Sequence, residues 1–253
     1  MTIPKVLSLI SLFMVTAVPL SHAENLIFES APERTRTLEL FTSEGCSSCP
    51  PADDWLNRLE NSEGLWTQWI PMAFHVDYWD YLGWKDPWSS SKFSNRQRAY
   101  ASVWGSHSVY TPGMVLDGEE WGDWHRVKTI PRSSRRDKPG VLKAVVSDSG
   151  KIVLEFYGRE RQTRSGPLLA HAVVLGFDQV SNVRSGENSG RKLVHQFNVM
   201  DHVEAPMKIS NDFQTANLEL PSLFKGDSEK KAVVFWISSG EDPTPIQAVG
   251  GEW

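Results

Sequence analysis

Apolar and polar positions change their period along the chain, and each change marks an element. Thr35 to Ser43, TRTLELFTS, is rich in β-branched and apolar residues and runs into Gly45, which predicts a strand entering a loop. Pro50 and Pro51 then stand where a helix's first turn tolerates them, because its N–H groups have no intrahelical acceptor. Asp53 and Asp54 suit the positive end of that helix, and Trp55, Leu56 and Leu59 recur at helical spacing. Trp69 to Trp79 reads as a second strand. Ser89 to Gly105 reads as a capped helix with Phe93, Ala99, Tyr100 and Val103 on its apolar stripe. A short strand at Met114–Leu116, a turn at Asp117-Gly118 and a strand entering Trp121 complete a layout of strand, helix, strand, helix and hairpin.

Beyond Arg126 the pattern shifts. RVKTIPRSSRRDKPG is basic and polar, fitting an exposed linker or a docking patch for an acidic partner. From Val141 onward, VLKAVVSDSGKIVLEFYG, PLLAHAVVLGF, RKLVHQFNVM and KKAVVFWISSG read as strands. The expectation is an α/β chain with two units: residues 24–138, carrying alternating strands and helices, and residues 139–253, a β-rich sandwich-like unit packed on the first. Nine of the eleven tryptophans lie between Trp55 and Trp124, which supports the division.

At the N-terminus Lys5 precedes an apolar run from Val6 to Val18, and Ser21-His22-Ala23 offers small residues where a signal peptidase reads. Residues 1–23 are therefore expected to be a cleaved signal peptide, and the chain an exported protein, periplasmic or secreted, without membrane insertion after cleavage. The 13-residue run is short for a bilayer span of about 20 residues. The remainder carries 25 Lys and Arg against 31 Asp and Glu, a balance that gives no reason to expect nucleic acid as a partner. Nothing readable in the sequence sets the oligomeric state.

Export matters because the chain holds two cysteines, Cys46 and Cys49, separated by two serines at the expected strand-to-helix junction. Unpaired N–H groups and the helix dipole favour a thiolate there, so a CxxC pair at this position is poised for exchange. Cys46 is expected as the exposed attacking sulfur and Cys49 as the more buried resolving one, with no other cofactor. Two other readings stay open: an inert local disulfide, and a soft-metal site, such as copper, formed by Cys46 and Cys49 with His75. Pro112, after Thr111 and before a strand, fits a cis-proline loop beside the pair that would offer Thr111's backbone to a peptide. HVDYWDYLGWKDPWSS adds an aromatic and acidic stretch. Trp79, Tyr81 and Trp84 are candidate substrate walls and Asp77 a candidate for proton transfer, while packing of a long loop explains the same residues. Strand parity places His75, Asp77 and Trp79 on one face. His171, His195 and His202 show no ligand-like spacing and read as structural histidines.

The order strand, CxxC helix, strand, helix and Thr-Pro before a hairpin resembles the thioredoxin fold. More specifically, ELFTSEGCSSCPPAD, AFHVDYWDYLGWKDPWSS, RQRAY, VYTPGMVLDG and GENSGRKLVHQFNVM are similar to the exported bacterial family catalogued as domain of unknown function 1223. The resemblance implies a thioredoxin-like N-terminal domain with an added β-rich unit. On that template Cys46 takes the nucleophile position, Cys49 the resolving position and Pro112 the cis-proline position. The function expected from the Cys46 and Cys49 pair is thiol-disulfide exchange with a protein or small thiol or disulfide substrate. The alternative is a non-enzymatic metal-binding or partner-binding protein on the same frame.

Overall fold

The computed structural model describes residues 25–131, 137–158, 168–220 and 230–253. The expected signal segment, residues 1–23, lies outside them, as does the centre of the basic stretch, 132–136. The first half runs β1 (Leu26–Glu29), β2 (Arg36–Thr42), α1 (Pro50–Asn57), β3 (Trp69–His75), α2 (Ser91–Val103), β4 (Gly113–Leu116) and β5 (Glu119–Glu120). β6 (Gly140–Val146), β7 (Lys151–Gly158), β8 (Leu168–Gly176), β9 (Gln179–Asn182) and β10 (Lys192–His195) follow. The chain ends with β11 (Asn198–Pro206), β12 (Lys208–Ser210), β13 (Phe213–Glu219), β14 (Lys231–Ser239) and β15 (Gln247–Glu252).

The early elements form where the sequence predicts them. Pro50 and Pro51 open α1 with Cys49 as its N-cap, and Ser90 caps α2 by accepting from the Lys92 N–H. The fold class, however, corrects the expectation. Strands make up 44% of the described residues and helices 16%, so the protein is mostly β and does not form a thioredoxin-like α/β domain with a β unit added. The physical reason is strand pairing. β2, β3, β4 and β5 do not close a sheet of their own, because β3 pairs on its other side with β11, giving one eight-stranded sheet in the order β15-β14-β8-β11-β3-β2-β4-β5. A five-stranded sheet, β1-β6-β7-β13-β12, packs against it, and β9 and β10 pair separately.

The shared strands are apolar on both faces. In β14, Ala232, Val234 and Trp236 join the core that contains α1, β2 and β3, while Val233, Phe235 and Ile237 join the core under the five-stranded sheet. β8 divides the same way, with Val173 and Leu175 on one side and Ala170, Ala172 and Val174 on the other. Full burial of each large aliphatic side chain contributes about 1.5–3 kcal/mol, so these strands bind both layers together. Arg96 of α2 adds a polar link: its guanidinium donates to both Glu39 carboxylate oxygens of β2 at 2.7 Å and lies 4.8 Å from the centre of the Trp236 ring on β14.

Two local departures shape the site. β3 ends at His75, so alternation does not extend to Asp77 and Trp79. RKLVHQFNVM is not one strand: the chain breaks between β10 and β11, where Phe197 has φ of 56°, and this turns β10 toward α1 while β11 enters the large sheet.

Candidate functional site

β2 carries the chain directly into the cysteine loop. Both cysteines are thiols, and both are buried. Cys46 is 1% exposed, which corrects the expectation of an exposed sulfur, although Ser47 and Ser48 between the two face solvent. Backbone bonds coil the loop tightly: the Cys46 N–H donates to Ser43, and the Cys49 N–H donates to Cys46.

The two thiols differ sharply. A hydrogen bond from Cys49 is the main influence bringing the Cys46 thiol down to about 6, against the cost of burial. The Ser48 hydroxyl, 3.2 Å away, and the Thr111 region help. Cys49 moves the other way. Burial raises it well above the ordinary thiol range, its hydrogen bond to Cys46 adds to this, and the nearby charge of Asp53 contributes. Cys46 is therefore the sulfur that ionises near neutral pH, and the thiolate is the reactive form.

Asp53 lies on the next turn of α1 from Cys49. It is buried, and desolvation raises its carboxyl to about 7 even though His195 and a 3.1 Å hydrogen bond from the Thr42 hydroxyl oppose the shift. Sequence reasoning read Asp53 as a helix-start residue; its position four residues past Cys49 was the available signal. Asp77, the residue singled out for proton transfer, is half-buried and accepts from the Ser94 hydroxyl of α2 at 2.5 Å.

The Thr111-Pro112 bond is cis, and the Thr111 carbonyl accepts from the Cys46 thiol at 3.9 Å. Trp79 braces this residue, its indole N–H donating to the Thr111 hydroxyl at 2.8 Å. Trp84 is turned inward, with its indole N–H on Glu44 at 2.7 Å, whereas Tyr81 is 81% exposed. The aromatic stretch thus separates into two braces and one exposed ring.

A buried polar network underlies the loop. Glu44 also bonds His195 Nε2 at 3.0 Å, and the Glu44 N–H donates to Asp86, whose same oxygen meets His75 Nδ1 at 2.7 Å. The His75 and His195 rings meet edge to face with centroids 4.7 Å apart. His75 is thus committed to Asp86. The only trio of His, Cys, Asp or Glu ligand atoms within 4.8 Å of one another among the described residues is His171, His202 and Glu204, not Cys46, Cys49 and His75.

The loop after β9 completes the site. Asn188 is buried, and its amide donates to the carbonyls of Glu44 at 2.8 Å and Cys46 at 2.9 Å. Glu187 accepts from the Ser47 N–H at 3.0 Å. The sequence marks GENSG only as a turn-forming loop, because its contacts span more than 130 residues.

A comparison with curated proteins gives no match. Among solved structures, an Agrobacterium tumefaciens protein from a structural genomics programme is 24% identical with a TM-score of 0.60, over 87% of this chain and 94% of that one. HBP35 of Porphyromonas gingivalis is 13% identical with a TM-score of 0.60, over 88% of this chain and 76% of that one. Both likenesses concern the fold. Residues 37–237 match the family described as "Protein of unknown function (DUF1223)", and the chain belongs to that family.

Proposed function

We propose that the protein is an exported thiol-disulfide oxidoreductase acting through Cys46 and Cys49 on a protein or small-molecule thiol or disulfide. The observation that carries this reading is the asymmetry of the pair: an acidified Cys46 beside a Cys49 whose thiol is held protonated. An inert staple has no need of unequal thiols. The apolar N-terminal run supports export to an oxidising compartment, where such a pair has disulfides to exchange with.

In the reducing direction, the Cys46 thiolate attacks one sulfur of a substrate disulfide. A Cys46-substrate disulfide forms, and the departing thiolate takes a proton. The Cys49 thiol then gives its proton to the Asp53 carboxylate and attacks the Cys46 sulfur, releasing the second substrate thiolate and leaving a Cys46-Cys49 disulfide. The reverse sequence oxidises a dithiol, returning two electrons to the pair. Asp53, titrating near 7 on the same helix end, can exchange that proton at neutral pH. The Thr111 backbone beside Cys46 and the exposed Tyr81 ring are the groups available to an incoming peptide.

The test is trapping with oxidised glutathione. Cys49→Ser is expected to accumulate a Cys46-glutathione adduct, wild type to pass through it to the internal disulfide, and Cys46→Ser to give neither. Absence of any adduct on Cys49→Ser, with the variant folded by circular dichroism, overturns the reading.

A further inference from the structure

The antiparallel register of β8 and β11 places Glu204 directly opposite His171, and His202, two residues before Glu204, on the same face. β14 completes that face by setting Trp236 opposite His171 and Ser238 two residues on. Sequence spacing conceals the arrangement, since 31 residues separate the two histidines.

We propose that His171, His202 and Glu204 form a binding site for one zinc-type divalent cation. His171 Nδ1 lies 3.2 Å from His202 Nε2 and 3.4 Å from a Glu204 oxygen. Tetrahedral coordination with Zn–N bonds of about 2.0–2.1 Å sets neighbouring ligand atoms ~3.3 Å apart, so these separations already match the edges of the polyhedron. Two imidazoles and a carboxylate are also the donor set of open zinc sites, in which a fourth position is left for water or a ligand.

The surrounding bonds orient the donors. The Ser238 hydroxyl donates to the Ser239 carbonyl at 3.1 Å, so at 2.9 Å it accepts from His171 Nε2–H. His171 therefore carries its proton on Nε2, and its Nδ1 lone pair faces His202 and Glu204. Without a cation, His202 Nε2–H can donate to that lone pair at 3.2 Å, so metal binding requires His202 to carry its proton on Nδ1 instead. A serine behind the ligating ring is the kind of partner that fixes tautomer and ring orientation in metal sites. Trp236 stacks on His171 with centroids 4.7 Å apart and the rings 4° from parallel, which holds the ring plane. Burial and the Arg96 charge keep His171 and His202 unprotonated at neutral pH, the state that binds metal.

The site opens on a cavity of about 610 Å³ lined in part by Lys92, Arg96, Glu241 and Asp242. Arg96 is doubly bonded to Glu39, which offsets part of its charge, and Glu204, Glu241 and Asp242 supply further negative charge around the cavity. Glu204 is 57% exposed on the cavity rim, leaving room for a small ligand at the fourth position.

Because thiols also bind zinc, the test uses the full mature chain with Cys46→Ser and Cys49→Ser, which separates this site from the exchange reaction. Titration with Zn²⁺ against a chromophoric chelator is expected to show one equivalent bound, and Co²⁺ to give the intense visible bands of tetrahedral coordination. Adding His202→Gln is expected to abolish binding, and Glu204→Gln, at an exposed position that leaves folding intact, to weaken it at least tenfold. A thiol-free protein that binds no Zn²⁺, or binding that Glu204→Gln leaves unchanged, overturns the proposal.

Discussion

At the scale of single residues, Cys46 and Asp53 are both buried and their pKa values move in opposite directions for identifiable reasons. Cys46 gains hydrogen bonds to its sulfur from Cys49 and Ser48 that outweigh the cost of burial, whereas Asp53 has one hydroxyl partner, and its desolvation dominates. The pH dependence of stability follows. With the Asp53 carboxyl near 7 in the folded protein and at about 3.9 when unfolded, the native state retains a proton that the unfolded chain releases between those values. Stability therefore falls as pH rises through that window. Asp53→Asn, which keeps an acceptor for Thr42, is expected to remove that decline. Denaturant titrations at pH 4 and pH 8 should then differ by a few kcal/mol less in the variant than in wild type, one pKa unit corresponding to about 1.4 kcal/mol. An unchanged pH profile would show that Asp53 is not the titrating group.

At the scale of elements, the reactive loop is fixed from both sides: α1 presents Cys49 at its N-cap, and the loop after β9 grips the carbonyls of Glu44 and Cys46 through Asn188. Asn188→Ala leaves two buried carbonyls without that donor and is expected to cost about 1–3 kcal/mol while increasing the rate at which Cys46 is alkylated. Thermal unfolding and timed labelling measure the two effects; a stable variant with unchanged labelling would show that the clamp does not govern the loop. The sequence makes α1 legible through Pro50, Pro51 and the spacing of Trp55, Leu56 and Leu59, since these signals act within one or two helical turns. It does not reveal Asn188 or the inward turn of Trp84 toward Glu44, because no local pattern encodes a partner 40 or 144 residues away.

At the scale of the whole molecule, the same limit explains the fold. Strand positions are readable from alternation, but which strand lies beside which is decided by long-range packing. The run AVVFWI in β14, Ala232 to Ile237, is apolar without interruption because both of its faces are covered. With β11 beside β3 and Trp236 beneath Arg96, the first half depends on the second. A fragment comprising residues 24–138 is accordingly expected not to fold, giving no cooperative thermal transition, while a chain of residues 24–253 gives one. A fragment that melts cooperatively would contradict the shared core. Among the described residues no helix is long and apolar enough to cross a membrane.

The central claim is that Cys46 is an activated thiol and Cys49 a protected one, and it is tested most directly by the pH dependence of alkylation, read at each cysteine by peptide mass mapping of the reduced protein. The account predicts that Cys46 reacts with a midpoint near pH 6, while Cys49 remains unlabelled well above the pH at which a free cysteine reacts. Equal rates at both positions, with midpoints near the free value of about 8.5, would contradict it.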